Sequence, residues 1–335
     1  MGKVRVILDA FGGDNAPLEI LKGAAQAVEE QDVHIRLCGN EPELRELAAQ
    51  SGISLSDMDI VHSESVIPVE APPAEILKSY DNSSMAVGLK LLAGDEGDAF
   101  VTAGSTGAAV MGATMLVGRI KGIKRPAIGT AIPNANPYGC YMLMDAGANA
   151  ECRPEMLQQF GIMGSAYMRQ LMGVDKPRVC LVNIGEEPTK GLELHQRAYQ
   201  LLKQSPLYFI GNLEARELPV GGCDVAVCDG FTGNIILKLT EGMGKMMNNE
   251  LKRMLLAGVG TKMAAALLKD HLMGLRAKFD YAEYGGAPLM GIAKPVIKAH
   301  GSSDAKAIKN AVRQAKTVHE KQVIQQIQAA LAQLK

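Results

Sequence analysis

Apolar residues along this chain gather in short unbroken runs rather than alternating with polar ones: Val4–Leu8, Val33–Leu37, Ala99–Thr102, Tyr141–Met144, Val179–Val182, Tyr208–Ile210 and Val225–Cys228. Runs of this kind suit strands covered on both faces. Between several of them lie segments with apolar residues at helical spacing: Leu18–Glu30, Glu41–Gln50, Met85–Leu92, Pro154–Leu171 and Gly191–Leu202. Strand alternating with helix predicts βαβ units, a mostly parallel sheet and a layered α/β fold. From Ile235 to about Lys278 the texture turns helical, broken near Gly258 and Gly260. That predicts two helices in a hairpin over 235–280, an excursion from one α/β unit spanning 1–335, or a small subdomain. A last amphipathic helix is expected from Ser303 to Leu334, with Ile308, Val312, Ala315, Val318, Val323, Ile324 and Ile327 on one face.

Composition narrows the class. The 335 residues are 47% hydrophobic and 21% charged, enough apolar material for a sizeable core and too little charge for a disordered chain. Lys and Arg (35) balance Asp and Glu (36), so no global charge draws the chain to nucleic acid, and a charged partner must be met locally. The six cysteines, Cys38, Cys140, Cys152, Cys180, Cys223 and Cys228, include no CxxC pair and read as reduced core thiols. No basic-then-apolar leader precedes the first strand, so a cytoplasmic protein is expected. The longest uncharged stretch, Ala99 to Gly118, has the length of a membrane span, but eight of its 20 residues are Gly, Ser or Thr. It is expected to form a buried strand, a glycine loop and a packed helix.

Charge is uneven in one place. Between Lys245 and Lys278, seven basic residues (Lys245, Lys252, Arg253, Lys262, Lys269, Arg276, Lys278) stand against two acidic ones (Glu250, Asp270). Lys262, Lys269 and Arg276 align on one helical face, while Met263, Leu267, Leu268, Leu272 and Leu275 can form an apolar one. A basic amphipathic hairpin fits three uses: an acidic carrier protein, an anionic membrane, or packing across a dimer with its lysines in water.

Glycine with small polar residues follows the strands six times: Asp9–Asp14, Thr102–Gly107, Asp145–Asn149, Asn183–Gly191, Gly211–Arg216 and Asp229–Asn234. Open α/β sheets bind ligands at the carboxyl ends of their strands, so the six loops are expected to converge on one crevice. Any one of them alone reads as turn chemistry. The sequence holds no HExxH, no Cys/His cluster at metal spacing, no Walker motif and no GxSxG elbow. Where a dinucleotide fingerprint would stand, Phe11-Gly-Gly-Asp14 places a carboxylate that would repel phosphates, against a nicotinamide enzyme.

What the loops offer is anion binding by backbone amides at two expected helix starts. One holds Gly104, Ser105, Thr106 and Gly107; the other holds Gly230, Thr232 and Gly233, and either suits phosphate or an oxyanion. Lys190 reads either as a solvated loop lysine or as a cation reaching over a strand end. Asn234 reads as an N-cap or as a ligand, and His300 as a structural or a catalytic histidine beside a helix capped by Ser302 or Ser303.

Together these motifs resemble one family, the bacterial phosphate acyltransferases of phospholipid synthesis known as PlsX. The resemblance spans essentially the whole chain. It is carried by Asp9-Ala-Phe-Gly-Gly-Asp14, where the family usually has Met at Phe11, and by Thr102–Ala108, where it usually has Asn at Ser105. It continues through Val117–Pro126, Asp145–Asn149, Gly185–Gly191 with Lys190, Gly211–Arg216, Asp229–Asn234, Tyr284–Ala287 and His300–Asp304. The resemblance implies a three-layer α/β/α Rossmann-like fold, similar to isocitrate and isopropylmalate dehydrogenases and to phosphotransacetylase, in a homodimer with no metal or nucleotide. It implies transfer of a long-chain acyl group from an acyl carrier protein thioester to inorganic phosphate. The acyl-phosphate would feed a glycerol-3-phosphate acyltransferase at the inner face of the membrane, where some members associate peripherally.

In that chemistry Lys190 is expected to neutralise phosphate or oxyanion, and Asn234 to donate to the tetrahedral oxygen. The Gly104–Gly107 amides would hold phosphate, Asp229 orient or accept a proton, and His300 assist the leaving thiolate. A phosphotransacetylase-like enzyme using acyl coenzyme A, and a non-catalytic membrane-surface scaffold, are the alternatives.

Overall fold

The computed structural model describes residues 2–279 and 285–334. Tyr284 of the Tyr284–Ala287 motif and Asp280, the last residue of the expected hairpin, lie outside them. Eleven strands form one sheet: β1 (Val4–Asp9), β2 (Val33–Gly39), β3 (Met58–His62), β4 (Ala99–Thr102), β5 (Ala127–Pro133), β6 (Cys140–Met144), β7 (Arg178–Asn183), β8 (Tyr208–Glu214), β9 (Val225–Val227), β10 (Ala287–Met290) and β11 (Val296–Lys298), in the order β3-β2-β1-β4-β11-β10-β5-β6-β9-β7-β8. All seven apolar runs are strands. β3, β10 and β11, which are short or interrupted by charge, and β5, interrupted by Gly129 and Thr130, escape a reading based on runs.

Pairing is parallel from β3 to β11 and again from β6 to β8, but antiparallel across β11-β10, β10-β5 and β5-β6. Three successive reversals turn the second parallel group against the first. The loops after β1, β4 and β11 therefore leave one edge of the sheet, and those after β6, β9, β7 and β8 leave the other.

Side chains alternate between two cores, one on each face of the sheet. Val6 and Leu8 join Val101, Met142 and Met144 under α1 (Leu18–Gln31), α5 (Pro154–Met172) and α10 (Ala305–Glu320). Ile7 joins Phe100, Tyr141 and Leu143 with α3 (Ser84–Ala93), α4 (Thr106–Gly112) and the first turns of α7 (Gly230–Leu255). The three-layer α/β/α arrangement follows, since strands apolar on both faces need a helical cover on each. β8 is the exception. Its Tyr208–Ile210 run was expected to be covered on both faces, yet it forms the sheet edge, with Tyr208 and Ile210 exposed.

Ala99–Gly118 folds as strand, loop and helix as expected, and no helix among the described residues is long and apolar enough to cross a membrane. Five cysteines are buried, Cys152 is half-buried, and all six are unbridged. The helical excursion has three helices rather than two: α7, α8 (Val259–Leu267) and α9 (Lys269–Phe279), with a second break at Leu268. The tail is likewise two helices, α10 and α11 (Val323–Ala332), because Gln322 between them adopts a left-handed conformation. Asp304, not Ser302 or Ser303, caps α10 by accepting from the Ala307 amide at 2.9 Å.

Candidate functional site

At the edge served by β6, β9 and β7, one buried carboxylate organises the loops. Asp145 Oδ1 accepts from the amides of Ile128 (2.9 Å), Gly147 (3.1 Å) and Ala148 (3.0 Å). Its Oδ2 accepts from the Asn149 amide (2.7 Å) and side chain (2.8 Å). Burial pushes this carboxyl above its usual range, and the donors pull it back toward the charged form. The wound loop then meets α7: the Gly230 amide donates to Asn149 O at 2.7 Å, and a Cβ on Gly233 would lie 1.9 Å from Asp145 O. Only glycine lets the helix approach this closely.

Asp229 is the N-cap of α7, and both its oxygens are engaged by Thr232, from the amide at 2.8 Å and the hydroxyl at 3.0 Å. Its observed work is capping. Asn234 is therefore no cap; it lies inside the first turns of α7, exposed, with its side chain facing Gly147. The amides of Gly230, Thr232 and Gly233 serve the neighbouring loop, the cap and the first helical bond respectively, so an exposed side chain, Asn234, is what this helix start offers a ligand.

β7 pairs with β9 through Leu181 and Val227, so the Lys190 loop leaves the sheet beside the Asp229 loop. Asn183 Nδ2 donates to Lys190 O (3.1 Å), and Asn212 Nδ2, from β8, donates to Glu187 O (2.8 Å). Two amide side chains thus hold the loop's backbone. The Lys190 ammonium is 47% exposed and 3.9 Å from Glu187 Oε2, a loose surface pairing that leaves it mobile. Among the described residues no hydrogen bond joins Lys190 to Asn234.

The opposite edge is built around charges hidden in the fold. Asp9 is buried and accepts from Thr102 Oγ1 at 2.7 Å; that hydroxyl in turn accepts from the Gly104 amide at 3.0 Å. Burial pushes the Asp9 carboxyl upward, against hydrogen bonds from Ser84, Thr102, Phe11 and Gly12. Gly104 is thereby committed to the loop, leaving the first amides of α4, at Thr106 and Gly107, as groups without an intrahelical acceptor. Ser105 is buried and makes no side-chain cap.

His300 follows β11 and is exposed. Its Nδ1 accepts from the Ser302 amide at 3.2 Å and lies 2.9 Å from Ser302 Oγ, an arrangement that keeps the ring proton on Nε2. Lys298, two residues earlier, is a residue that the loop motifs do not point to. Its ammonium is buried and donates to Ala103 O at 3.1 Å. A lysine closing the apolar run Pro295-Val-Ile297 is the signal that could have found it.

Strand direction divides the expected loops between two ends of the sheet, and Gly211–Glu214 of the expected Gly211–Arg216 loop belongs to β8 itself. Asn234 and Lys238 are one turn apart on one face of α7. Lys238 comes close enough to repel Lys298 electrostatically. The expected convergence of all the loops on one crevice is not what the strand directions give: the β1, β4 and β11 loops and the β6, β7 and β9 loops leave opposite ends of the sheet.

The fatty acid synthesis protein family matches this chain over residues 4–326. A phosphate acyltransferase of Alkaliphilus oremlandii is 46% identical over 331 residues, covering 99% of this chain and 98% of its own. One from Thermoanaerobacterium thermosaccharolyticum is 46% identical over 97% and 96% of the two chains. In structure, a phosphotransacetylase from Streptococcus pyogenes superposes with a TM-score of 0.64 over 96% of this chain and 94% of that one, at 17% identity. A Salmonella typhimurium protein described as a 4-hydroxythreonine-4-phosphate dehydrogenase superposes with a TM-score of 0.53 over 95% and 100%, at 11% identity. At such identities the structures speak to fold alone, and they place the chain in the Rossmann-like α/β/α class shared by phosphotransacetylases and dehydrogenases.

Proposed function

The chain belongs to the fatty acid synthesis protein family and is an acyltransferase with phosphate as acceptor; from that premise we propose that its donor is a long-chain acyl group on an acyl carrier protein. What supports the reading is α7, which starts against the Asp145 loop, on a strand neighbouring that of the Lys190 loop, and exposes Asn234 there. Phosphate near pH 7 is already partly dianionic, so the attack needs no strong base. The departing pantetheine thiol has a pKa near the ~8.5 of cysteine and leaves with little protonation. The work left to the protein is positioning and oxyanion stabilisation.

In this reading Thr106 and Gly107 amides hold phosphate, Lys190 neutralises charge as the tetrahedral intermediate forms, and Asn234 donates to its oxygen. His300, with its proton on Nε2, meets the leaving sulfur. Asp229 serves by fixing the start of α7. The product acyl-phosphate supplies a glycerol-3-phosphate acyltransferase. Incubating the protein with palmitoyl acyl carrier protein, with and without inorganic phosphate, and following free thiol and acyl-phosphate tests this. Phosphate-dependent release with matching acyl-phosphate is expected; release from palmitoyl coenzyme A alone would transfer the reading to a phosphotransacetylase-like enzyme.

The arm supports two further proposals. Phe231, Ile235, Leu239, Met243, Met247 and Met254 are exposed along α7, a stripe that a second copy could cover in a homodimer. Sedimentation as a monomer at micromolar concentration would remove that proposal. Around the turn, exposed Val259, Met263 and Leu267 lie beside Lys262 and Lys269, which supports reversible contact with an anionic membrane. Leu255→Glu with Leu267→Glu should abolish flotation on anionic liposomes; unchanged flotation would count against the membrane role.

A further inference from the structure

The turn that enters β5, Arg119–Pro126 of the Val117–Pro126 motif, has no task in the chemistry above. Every third residue faces the core: Ile120, Ile123 and Pro126 are buried, while Arg119, Lys121, Lys124 and Arg125 are exposed. The apolar positions thus turn four cations outward within seven residues. The turn is fastened from beneath. Gln159 on α5, itself buried, accepts from the Lys124 amide at 2.8 Å and donates to Gly122 O at 2.9 Å. Arg119 Nη1 donates to Ile123 O at 3.2 Å and to Lys124 O, and the Ile120 amide donates to Gly291 O at 2.9 Å. Gly122, at φ 96°, takes the left-handed conformation that the bend requires. Among the described residues the side chains of Lys121, Lys124 and Arg125 make no ion pair, with Glu151 and Glu155 or any other acid. Like charges grouped on a rigid element attract and orient an anionic partner.

Position decides which partner the turn suits. β5 runs antiparallel to β6, with Gly129 opposite Met144, so β5 starts at the end of the sheet where β6 stops. Asn149 Nδ2 donates to Pro126 O at 2.8 Å, and Asn149 O accepts from the Gly230 amide, so one residue ties the basic turn to the start of α7. Along that end the strand order is β5-β6-β9-β7, which puts the turn three strand spacings, about 14 Å, from the Lys190 loop. An extended pantetheine arm spans such a distance. With Ile120, Ile123 and Pro126 turned inward, the turn offers a lipid surface nothing to insert, unlike Val259, Met263 and Leu267 of the arm; a charged protein surface needs no such groups. We propose that Lys121, Lys124 and Arg125 are the docking surface for the acidic carrier protein, which extends its pantetheine arm across the Asp145 loop toward Asn234 and Lys190. The inference rests on the acyl-carrier reading and assigns its partner to this turn rather than to the basic arm. The three cations do not touch the acyl carbon; they hold and steer the protein that brings it.

The test is steady-state kinetics of the full chain and its variants, with palmitoyl acyl carrier protein and inorganic phosphate varied in turn. Lys121→Glu with Lys124→Glu, exposed changes that break no hydrogen bond or ion pair of either side chain, should raise KM for the carrier at least about tenfold. Their kcat and KM for phosphate should stay within about twofold. Lys121→Arg with Lys124→Arg should keep the parental KM. Raising salt from about 50 to about 300 mM should weaken the parent's use of the carrier and shrink its advantage over the charge-reversed variant. A charge-reversed variant with the parental KM for the carrier would overturn the proposal. Loss of flotation on anionic liposomes would then assign the turn to lipid, and a raised KM in Lys262→Glu with Lys269→Glu would assign the carrier to the arm. An equal rise in KM for palmitoyl-pantetheine, which brings the arm without the protein, would also overturn it. No turnover of palmitoyl acyl carrier protein by the parent chain is a different failure and would remove the acyl-carrier reading itself.

Discussion

At the carboxyl ends of β1 and β11 the charges Asp9 and Lys298 are buried, whereas the loops after β6, β9 and β7 bury one carboxylate as a hub and leave Lys190 and Asn234 in the open. Asp9 and Lys298 are enclosed, and each meets hydroxyl or backbone partners that define one arrangement. Lys190 and Asn234 are exposed, and only the backbone beneath them is fastened, by Asn183, Asn212 and the Asp145 loop. The difference is one of rigidity: a buried charge is fixed by its partners, while an exposed one on a fastened backbone keeps its side-chain freedom.

That contrast breaks most severely at Asp145. Asp145→Ala strips five N–H donors of their acceptor in a buried loop, and a stability loss of about 3–5 kcal/mol is expected in urea denaturation. A loss under about 1 kcal/mol would mean that water replaces the carboxylate and that the hub is dispensable. Next come the exposed groups. Lys190→Ala and Asn234→Ala should each lower kcat by about 10²–10³-fold, roughly 2.7–4 kcal/mol of transition-state stabilisation, with unchanged unfolding midpoints. If both lost less than about threefold, the oxyanion would have to be met elsewhere. The smallest effect is expected at the helix start: Asp229→Ala removes a cap worth about 1 kcal/mol and should lower stability by that amount while sparing most of kcat. A kcat loss as large as that of Lys190→Ala would instead restore Asp229 to proton transfer.

Much of the architecture was legible because core strands must be apolar on both faces. Val4–Leu8, Val179–Val182 and Val225–Cys228 announce themselves by composition alone. β10 and β11, of four and three residues, do not, since strands so short are stabilised by β4 and β5 at their flanks rather than by their own content. The same shortness obscured Lys298, whose signal along the chain is only a lysine closing the run Pro295–Ile297. The tail was read as one helix because Val318, Val323 and Ile327 keep to one face, and a single left-handed residue at Gln322 is invisible to periodicity. Asn234 looked like a cap because an apolar helix follows it; the true cap lies five residues earlier, where an Asp precedes two glycines that α7 needs for close approach.

The chain's own order of residues determined the α/β class, the glycine-rich loops at the strand ends and the basic arm, because burial of apolar runs and the turn preferences of glycine are local consequences of composition. Tertiary structure alone decided which loops leave which end of the sheet. Three antiparallel pairings reverse the second half of the sheet, and only the path of α7 back across that reversal brings Lys238 toward Lys298. Electrostatic proximity between residues far apart in the chain is a property of packing, and no spacing rule along the chain contains it.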